Sequence, residues 1–376
     1  MTLRVLHCIY DDPANPWVGG GGAVRVFELY RRLRDSVDVT VLTGSFPGAR
    51  NETIDGVRYI RLGAERPYVW SRLTYAHAAT RALRRGEYDA AVFDYSAYTP
   101  ITVPRDRPIG ITVHHVTSPG ARSRWGPLTS VLGAYERRLL LRARCFSATS
   151  TATRRLLREW LPAEARIDLV YAGVPDELFV LPRRPAGYLL YFGRMDVVQK
   201  GLDTLLEAYA LLAAERDAPE LRIAGRGKDA ARVEQLAAAL GILECVRLLG
   251  AVDEEQREAL LAGALVQLMP SRFEGFGMAA AEAMAAGVPL VATAAGSLPE
   301  VVASPEGGVL VPPDDPQALA SAVAGLLDDP ERRERLSASA RRSAERFRWA
   351  EVAAEHLRFL QTIAAGCPPP RPALSA

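Results

Sequence analysis

Strand-length apolar runs alternate with helix-length amphipathic stretches along nearly the whole chain, and this alternation limits the fold more than any other feature. "LRVLHCIY", "VDVTVLTG", "GVRYIRL", "AAVFDY", "PIGITVHH" and "CFSATS" read as strands, with helical stretches such as "VRVFELYRRLRD", "RLTYAHAATRALRRGEYD" and "LTSVLGAYERRLLLRAR" among them. Strands separated by helices of this length mean βαβ units and a parallel sheet. At "FVLPRRPAG" (Phe179–Gly187) two prolines and a charged pair break the pattern, which then restarts with "YLLYFGR", "LRIAG", "VRLLG", "ALVQLMP", "PLVAT" and "GGVLVP". A chain of 376 residues is longer than one hydrophobic core usually grows. The expected fold class is therefore α/β, with two tandem Rossmann-like domains facing a central cleft at the carboxyl ends of their strands. The expected domains are 1–183 and 184–347, and "CPPPRPALSA" makes 365–376 a disordered tail.

Composition narrows the class. With 49% apolar and 24% charged residues the chain is ordinary globular material, and no apolar run approaches the length of a membrane span. "MTLRVLHCIY" alternates like a strand and lacks a small-residue cleavage site, so a cytoplasmic location is expected. Cys8, Cys145, Cys245 and Cys367 are scattered, with no CxxC pair, and read as free thiols in a reducing compartment. The net charge of +2 conceals an asymmetry: residues 1–183 hold 26 basic against 18 acidic residues, and the remainder 20 against 26. Such a basic half suits an anionic partner, or reflects uneven arginine usage. Of 46 basic residues only Lys200 and Lys228 are lysines, so the ammonium stands out where arginine serves elsewhere.

The most specific stretch is "RFEGFGMAAAEAMAAG", Arg272–Gly287. "ALVQLMPS" closes a strand and "GMAAAEAMAAG" opens a helix, so Glu274 precedes a glycine-framed turn and Glu282 lies about a turn and a half into the helix. Free amides at a helix start attract phosphate. Gly275 and Gly277 leave the backbone open to close approach. A carboxylate at Glu282 can accept both vicinal hydroxyls of a ribose. Glu274 would face the part of the ligand beyond the phosphates. "YFGRMDVVQKG" sets Arg194 and Lys200 at the carboxyl edge of the same sheet, where fixed cations stabilise a diphosphate leaving group. The chain contains no Asp-x-Asp pair, so no metal ligands are expected. "LRIAGRGKD" offers only Gly-x-Gly, a weak signal. In the first half, Gly19 to Gly22 follow the first strand, and "ITVHHVT" puts His114 and His115 at a strand end with their side chains facing opposite ways.

In this order these segments resemble the retaining glycosyltransferases of family 4, which have the GT-B fold. The likeness runs from about Leu3 to Leu360, through "GGAVRVFEL", "TVHH", "SATS", "YAGVPDELF", "FGRMDVVQKGLDTLLEAY", "IAGRGKD", "LMPSRFEGFGMAAAEAMAAGVPLVAT", "GSLPEVV" and "GGVLVPPDDPQALASAV". The Glu-x7-Glu with Gly-Phe-Gly is the specific part. The resemblance implies that Glu282 binds the ribose, Glu274 the transferred sugar, and the backbone of Phe276, Gly277 and Met278 the diphosphate. It implies Arg194 and Lys200 on the diphosphate, and Gly21, Gly22, Gly193 and Gly225 in the donor site. His114 would face the transferred sugar, or His115 if the strand register differs by one. Attack from the leaving group's own face, with the β-phosphate taking the acceptor's proton, would retain anomeric configuration. The closing helix, 348–364, is expected to pack back on the first domain. "YAGV" departs from the Asn-Gly-Val of many relatives at Ala172, which touches stability more than chemistry.

The resulting expectation is a metal-independent hexosyltransferase without cofactor, moving sugar from a UDP- or GDP-sugar to a hydroxyl acceptor in glycan, glycolipid or small-glycoside synthesis. Nucleic acid is not an expected partner. A nucleotide-sugar epimerase of the same fold is the alternative. An NAD-dependent oxidoreductase fits less well, because "GRGKDA" lacks the third glycine of its fingerprint. Arg clusters beside Trp70 and Trp125, including Arg137, Arg138 and Arg142, suit peripheral contact with anionic lipid on the inner face of the membrane and a lipid-linked or anionic acceptor. Ordinary domain helices with solvated arginines are the competing reading.

Overall fold

The computed structural model describes residues 2–17, 20–95, 101–114, 135 and 137–367. It divides into two compact units, Met1–Ala172 with Trp349–Ala376, and Gly173–Arg348. The break thus falls before the expected boundary at 183: Pro175–Leu181 already belongs to the second unit, where Val174 donates to the Phe347 carbonyl at 2.8 Å.

The first unit is built on β1 (Leu3–Cys8), β2 (Val37–Gly44), β3 (Glu52–Ile54), β4 (Val57–Leu62), β5 (Ala90–Asp94), β6 (Ile109–Val113), β7 (Cys145–Ala148) and β8 (Arg166–Leu169). Their order is β3-β4-β2-β1-β5-β6-β7-β8. Every neighbouring pair is parallel except β3–β4. β1 pairs with β2 on one side and β5 on the other, so the winding direction reverses between β1 and β5. Strands buried on both faces explain the largely apolar β5 and β6, whose residues are all buried.

The second unit has a six-stranded parallel sheet of β9 (Tyr188–Phe192), β10 (Glu220–Ala224), β11 (Val246–Gly250), β12 (Ala264–Met269), β13 (Leu290–Thr293) and β14 (Val309–Val311). Its order is β11-β10-β9-β12-β13-β14, so here the reversal lies between β9 and β12. Open α/β sheets bind ligands outside the carboxyl ends of the strands at such a reversal. Leu189, Tyr191, Ile223, Val266 and Val291 from the strands join Leu202, Leu205 and Leu212 of the Leu202–Glu215 helix in one buried core.

The closing helix, Trp349–Ala364, belongs to the first unit. Trp349, Val352, Phe359, Leu360 and Ile363 share a buried cluster with Val5, Leu29, Val39 and Val92. Gly110 on β6 makes this fit, because a Cβ there would fall 2.4 Å from Ile363 Cδ1 and 2.7 Å from Phe359 Cζ. Beside it, Cys145 pairs in register with Gly110 and is joined by a disulfide to Cys367. This corrects the reading of four free thiols: only Cys8 and Cys245 are free. Their sequence separation of 222 hides the proximity of Cys145 and Cys367 in the sequence. Of the tail expected at 365–376, Ala365–Cys367 is described and the rest lies outside the described residues. Among the described residues, no helix is long and apolar enough to cross a membrane.

Gly110→Val tests the packing of the closing helix. Valine suits a strand better than glycine, yet overpacking here is expected to cost about 1–3 kcal/mol. A urea midpoint at or above that of the wild type would contradict the described fit.

Candidate active site

At the β9–β12 reversal the two strand exits meet. The β9 exit runs through Gly193 and Arg194 to a short helical turn, Val197–Lys200. Asp196 caps this turn, accepting from the Gln199 amide at 2.9 Å, while Asp229 accepts from the Val197 amide at 2.9 Å. Gly201, with φ of +63°, then turns the chain into the Leu202–Glu215 helix. A Cβ on Gly201 would fall 2.1 Å from the Pro270 carbonyl oxygen, so the loop lies directly on the β12 exit. This contact delivers the Lys200 ammonium to Glu274: Nζ lies 2.5 Å from Oε1, and Ser271 Oγ donates to the same oxygen at 2.8 Å. Glu274 is only 7% exposed.

The β12 exit is held from below. Ser297 Oγ donates to the Phe276 carbonyl at 2.7 Å, and the Ser297 amide donates to the Glu274 carbonyl at 3.2 Å. Gly277, with φ of +92°, starts the Met278–Ala285 helix, whose first amides have no carbonyl of their own helix to bond. Phe276 is buried edge-on against Phe347, with ring centroids 5.3 Å apart. Glu282 is 5% exposed, with Arg257 Nη1 at 3.5 Å from its Oε1. Burial raises its carboxyl above the usual carboxylate range, Arg257 opposes that, and Glu254 adds to it.

Sequence and structure diverge in detail for the remaining residues of this unit. Arg194 is exposed and donates to Gln199 Oε1 at 2.6 Å rather than joining the Lys200–Glu274 pair. Gly225, expected in the donor site, packs against Gly193, where a Cβ would fall 1.9 Å from the carbonyl oxygen. Lys228 is exposed, 3.8 Å from Asp196.

In the first unit the β1–β5 reversal carries its own set. Gly20 caps and Gly21 begins the Gly21–Leu33 helix, and a Cβ on Gly22 would sit 3.3 Å from Ile9 Cδ1 and 3.6 Å from Asp11 Oδ2. His114 follows β6, with Nε2 at 2.8 Å from Asp94 Oδ2 and its side chain 29% exposed. His115 lies outside the described residues. Asp94, which closes the otherwise apolar β5, escaped the sequence reading; an ionisable residue ending "AAVFDY" was the available signal. Trp70 is 56% exposed on the Tyr68–Arg85 helix, beside exposed Val69 and Leu73. Trp125 lies outside the described residues. Arg137 and Arg138 are exposed, but Arg142 donates to the Val103 carbonyl at 2.9 Å. Among the described residues, no three His, Cys, Asp or Glu side chains converge as a metal site.

Glu282→Gln separates the cost of this site from its use. With the folded carboxyl raised, the proton is held more tightly in the folded than in the unfolded chain, so stability is lost as pH rises through the folded value. The cost therefore grows as pH rises above the ordinary carboxylate range. The glutamine variant is expected to melt at or above the wild-type temperature at pH 7, the difference closing as pH falls towards 4. A lower melting temperature at pH 7 would contradict the account.

Comparisons with known proteins agree with this architecture. Residues 19–178 match the family model described as Glycosyltransferase Family 4, and residues 181–343 match Glycosyl transferases group 1. The chain is 33% identical over 302 residues to the MMP alpha-(1->4)-mannosyltransferase of Mycolicibacterium hassiacum, covering 75% of this chain and 73% of that protein. Sucrose-phosphate synthase from Thermosynechococcus elongatus superposes with a TM-score of 0.81 at 23% identity, covering 97% of this chain and all of that one. HepE of Anabaena, crystallised with UDP-glucose, superposes with a TM-score of 0.74 at 18% identity, covering 96% of this chain and 100% of that one. With two Rossmann-like α/β domains and both family models matched, the chain belongs to glycosyltransferase family 4 and has the GT-B fold.

Proposed function

We propose that this glycosyltransferase moves a hexose from a UDP- or GDP-sugar to a hydroxyl acceptor, retaining anomeric configuration and needing no metal. The carrying observation is the Lys200–Glu274 pair at the carboxyl edge where β9 and β12 reverse, with buried Glu282 in the helix beyond. Diphosphate oxygens would lie against the Gly277 and Met278 amides and the Lys200 ammonium, with exposed Arg194 swinging onto them. Glu282 would accept the ribose hydroxyls and Glu274 those of the sugar. The name of the mannosyltransferase relative and the UDP-glucose of HepE accord with a nucleotide-sugar donor.

In the transfer, the acceptor oxygen bonds to the anomeric carbon as the bond from that carbon to the diphosphate oxygen breaks. The electron pair leaves with the diphosphate, whose β-phosphate oxygen takes the acceptor's proton. Cations already fixed beside that oxygen stabilise its growing charge without reorganising. The absence of an Asp-x-Asp pair supports a diphosphate held by cations instead of metal.

A thermal-shift screen with UDP, GDP and ADP sugars identifies the donor. A ligand at 100 times its Kd is expected to stabilise by about 2.7 kcal/mol. Lys200→Ala and Glu274→Gln are each expected to lower kcat about 10²–10³-fold. Lys200→Arg is expected to be impaired as well, because a planar guanidinium does not replace a point charge. Near-wild-type turnover in Lys200→Ala or Glu274→Gln would overturn the assignment. Dialysis against EDTA is expected to leave the rate unchanged; a loss restored by Mg²⁺ or Mn²⁺ would refute the metal-independent reading.

A further inference from the structure

The first unit contains a chain of polar side chains that the transfer reaction does not by itself require. Asp94 is 5% exposed, and its two oxygens serve different histidines: Oδ2 meets His114 Nε2 at 2.8 Å, and Oδ1 meets His7 Nε2 at 3.2 Å. His7 Nδ1 lies 2.9 Å from the Tyr30 hydroxyl, which lies 3.2 Å from His356 Nε2 on the closing helix. His7, Tyr30 and His356 are essentially inaccessible to solvent.

An ionised carboxylate only accepts hydrogen bonds, so with His7 and His114 as neutral rings the protons along the chain take one order. His114 and His7 must each carry hydrogen on Nε2 to donate to Asp94. His7 Nδ1 is then a lone pair, so Tyr30 donates to it, and the Tyr30 oxygen accepts from His356 Nε2–H. The leftover group is the His356 Nδ1 lone pair, which has no hydrogen-bond partner among the described residues. Burial, Arg25 and His7 hold His356 well below the usual histidine range, which agrees with a neutral ring. Burial would raise Asp94, but His114 and His7 together hold it well below the usual carboxylate range. The buried Arg25 guanidinium, whose Nη2 donates to the Val170 carbonyl at 3.3 Å, supplies the nearby positive charge. Cys8, Asp11 and Tyr75 are the other ionisable groups acting with Asp94.

We propose that Asp94 is a positioning residue for His114, fixing the ring in its Nε2–H form through a buried chain that runs by His7 and Tyr30 to His356. His114 Nδ1 then stands as a lone pair directed away from Asp94, suited to accept a hydrogen bond from a sugar hydroxyl. That last step rests on the proposed transfer reaction, which sets His114 against the substrate. The His114 backbone is also secured, since its carbonyl accepts from Thr149 Oγ1 at 3.2 Å. The closing helix thereby contributes to the geometry of a side chain it does not touch.

Long-range 1H–15N spectra of the full chain with 15N-labelled histidine, assigned with His114→Gln, read the tautomers directly. The wild type at pH 7.5 is expected to hold His114 as Nε2–H alone. Asp94→Asn is expected to give a mixed or Nδ1–H pattern and about 10²-fold lower kcat/KM, the cost of a misplaced group, with the donor-induced thermal shift retained. Tyr30→Phe keeps the ring and removes one hydroxyl; it is expected to change the His7 spectrum and lower kcat several-fold with KM for the donor unchanged. It also serves if Asp94→Asn fails to fold. An unchanged His114 spectrum in Asp94→Asn, or unchanged His7 and His114 spectra in Tyr30→Phe, would overturn the proposal. Wild type that transfers no sugar would sink the transferase reading alone, because the tautomer spectra still judge the positioning role.

Discussion

The pairing of β9 with β12 governs the second unit. Residues 74 apart in sequence meet as an ion pair only because these strands are parallel neighbours whose exits leave the sheet on one edge. Everything near the pair then serves to bring two loops close. Gly201 allows one loop to rest on Pro270, Gly225 lets the β10 exit pass under Gly193, and Ser297 ties the glycine-framed turn from the opposite side. The loops are irregular in form, yet each is fixed by backbone contacts too close for a side chain.

Charge in this unit is placed where folding alone disfavours it. Glu282 is a buried carboxyl with one guanidinium at 3.5 Å, and Glu274 is nearly buried beside an ammonium and a hydroxyl. Truncating one partner of a buried pair costs more than the pair ever contributed. Under the proposed transfer reaction, the hydroxyls and phosphates of the donor would supply the missing partners.

The architecture was legible in the sequence because it rests on local periodicity. Twelve alternating runs were read and fourteen strands stand among the described residues; β3 (Glu52–Ile54) and β8 (Arg166–Leu169) were missed because three or four residues carry too little pattern. The Glu274–Glu282 turn was legible for the same reason: its residues are close in the chain. What escaped depends on distant contacts. The disulfide joins residues 222 apart, and the Asp94 chain reaches from His7 on β1 to His356, whose hydroxyl partner Tyr30 lies 326 residues away. No single-position signal distinguishes a histidine in such a chain from one packed in a core. Gly225 shows a second reason for a glycine that the sequence did not reveal, its backbone packing against Gly193.

Because the first unit is completed by Trp349–Ala364, the polypeptide leaves it at Ala172 and re-enters at Trp349. The second unit is continuous, so all of its strands are available before the first unit has its last helix. Domains usually fold as units in the order they are made. Here the order inverts: residues 1–172 must wait, with the apolar face later covered by Phe359 and Ile363 still open, while the downstream unit is able to close on itself. During synthesis that apolar face stays open until the Trp349–Ala364 helix has been made.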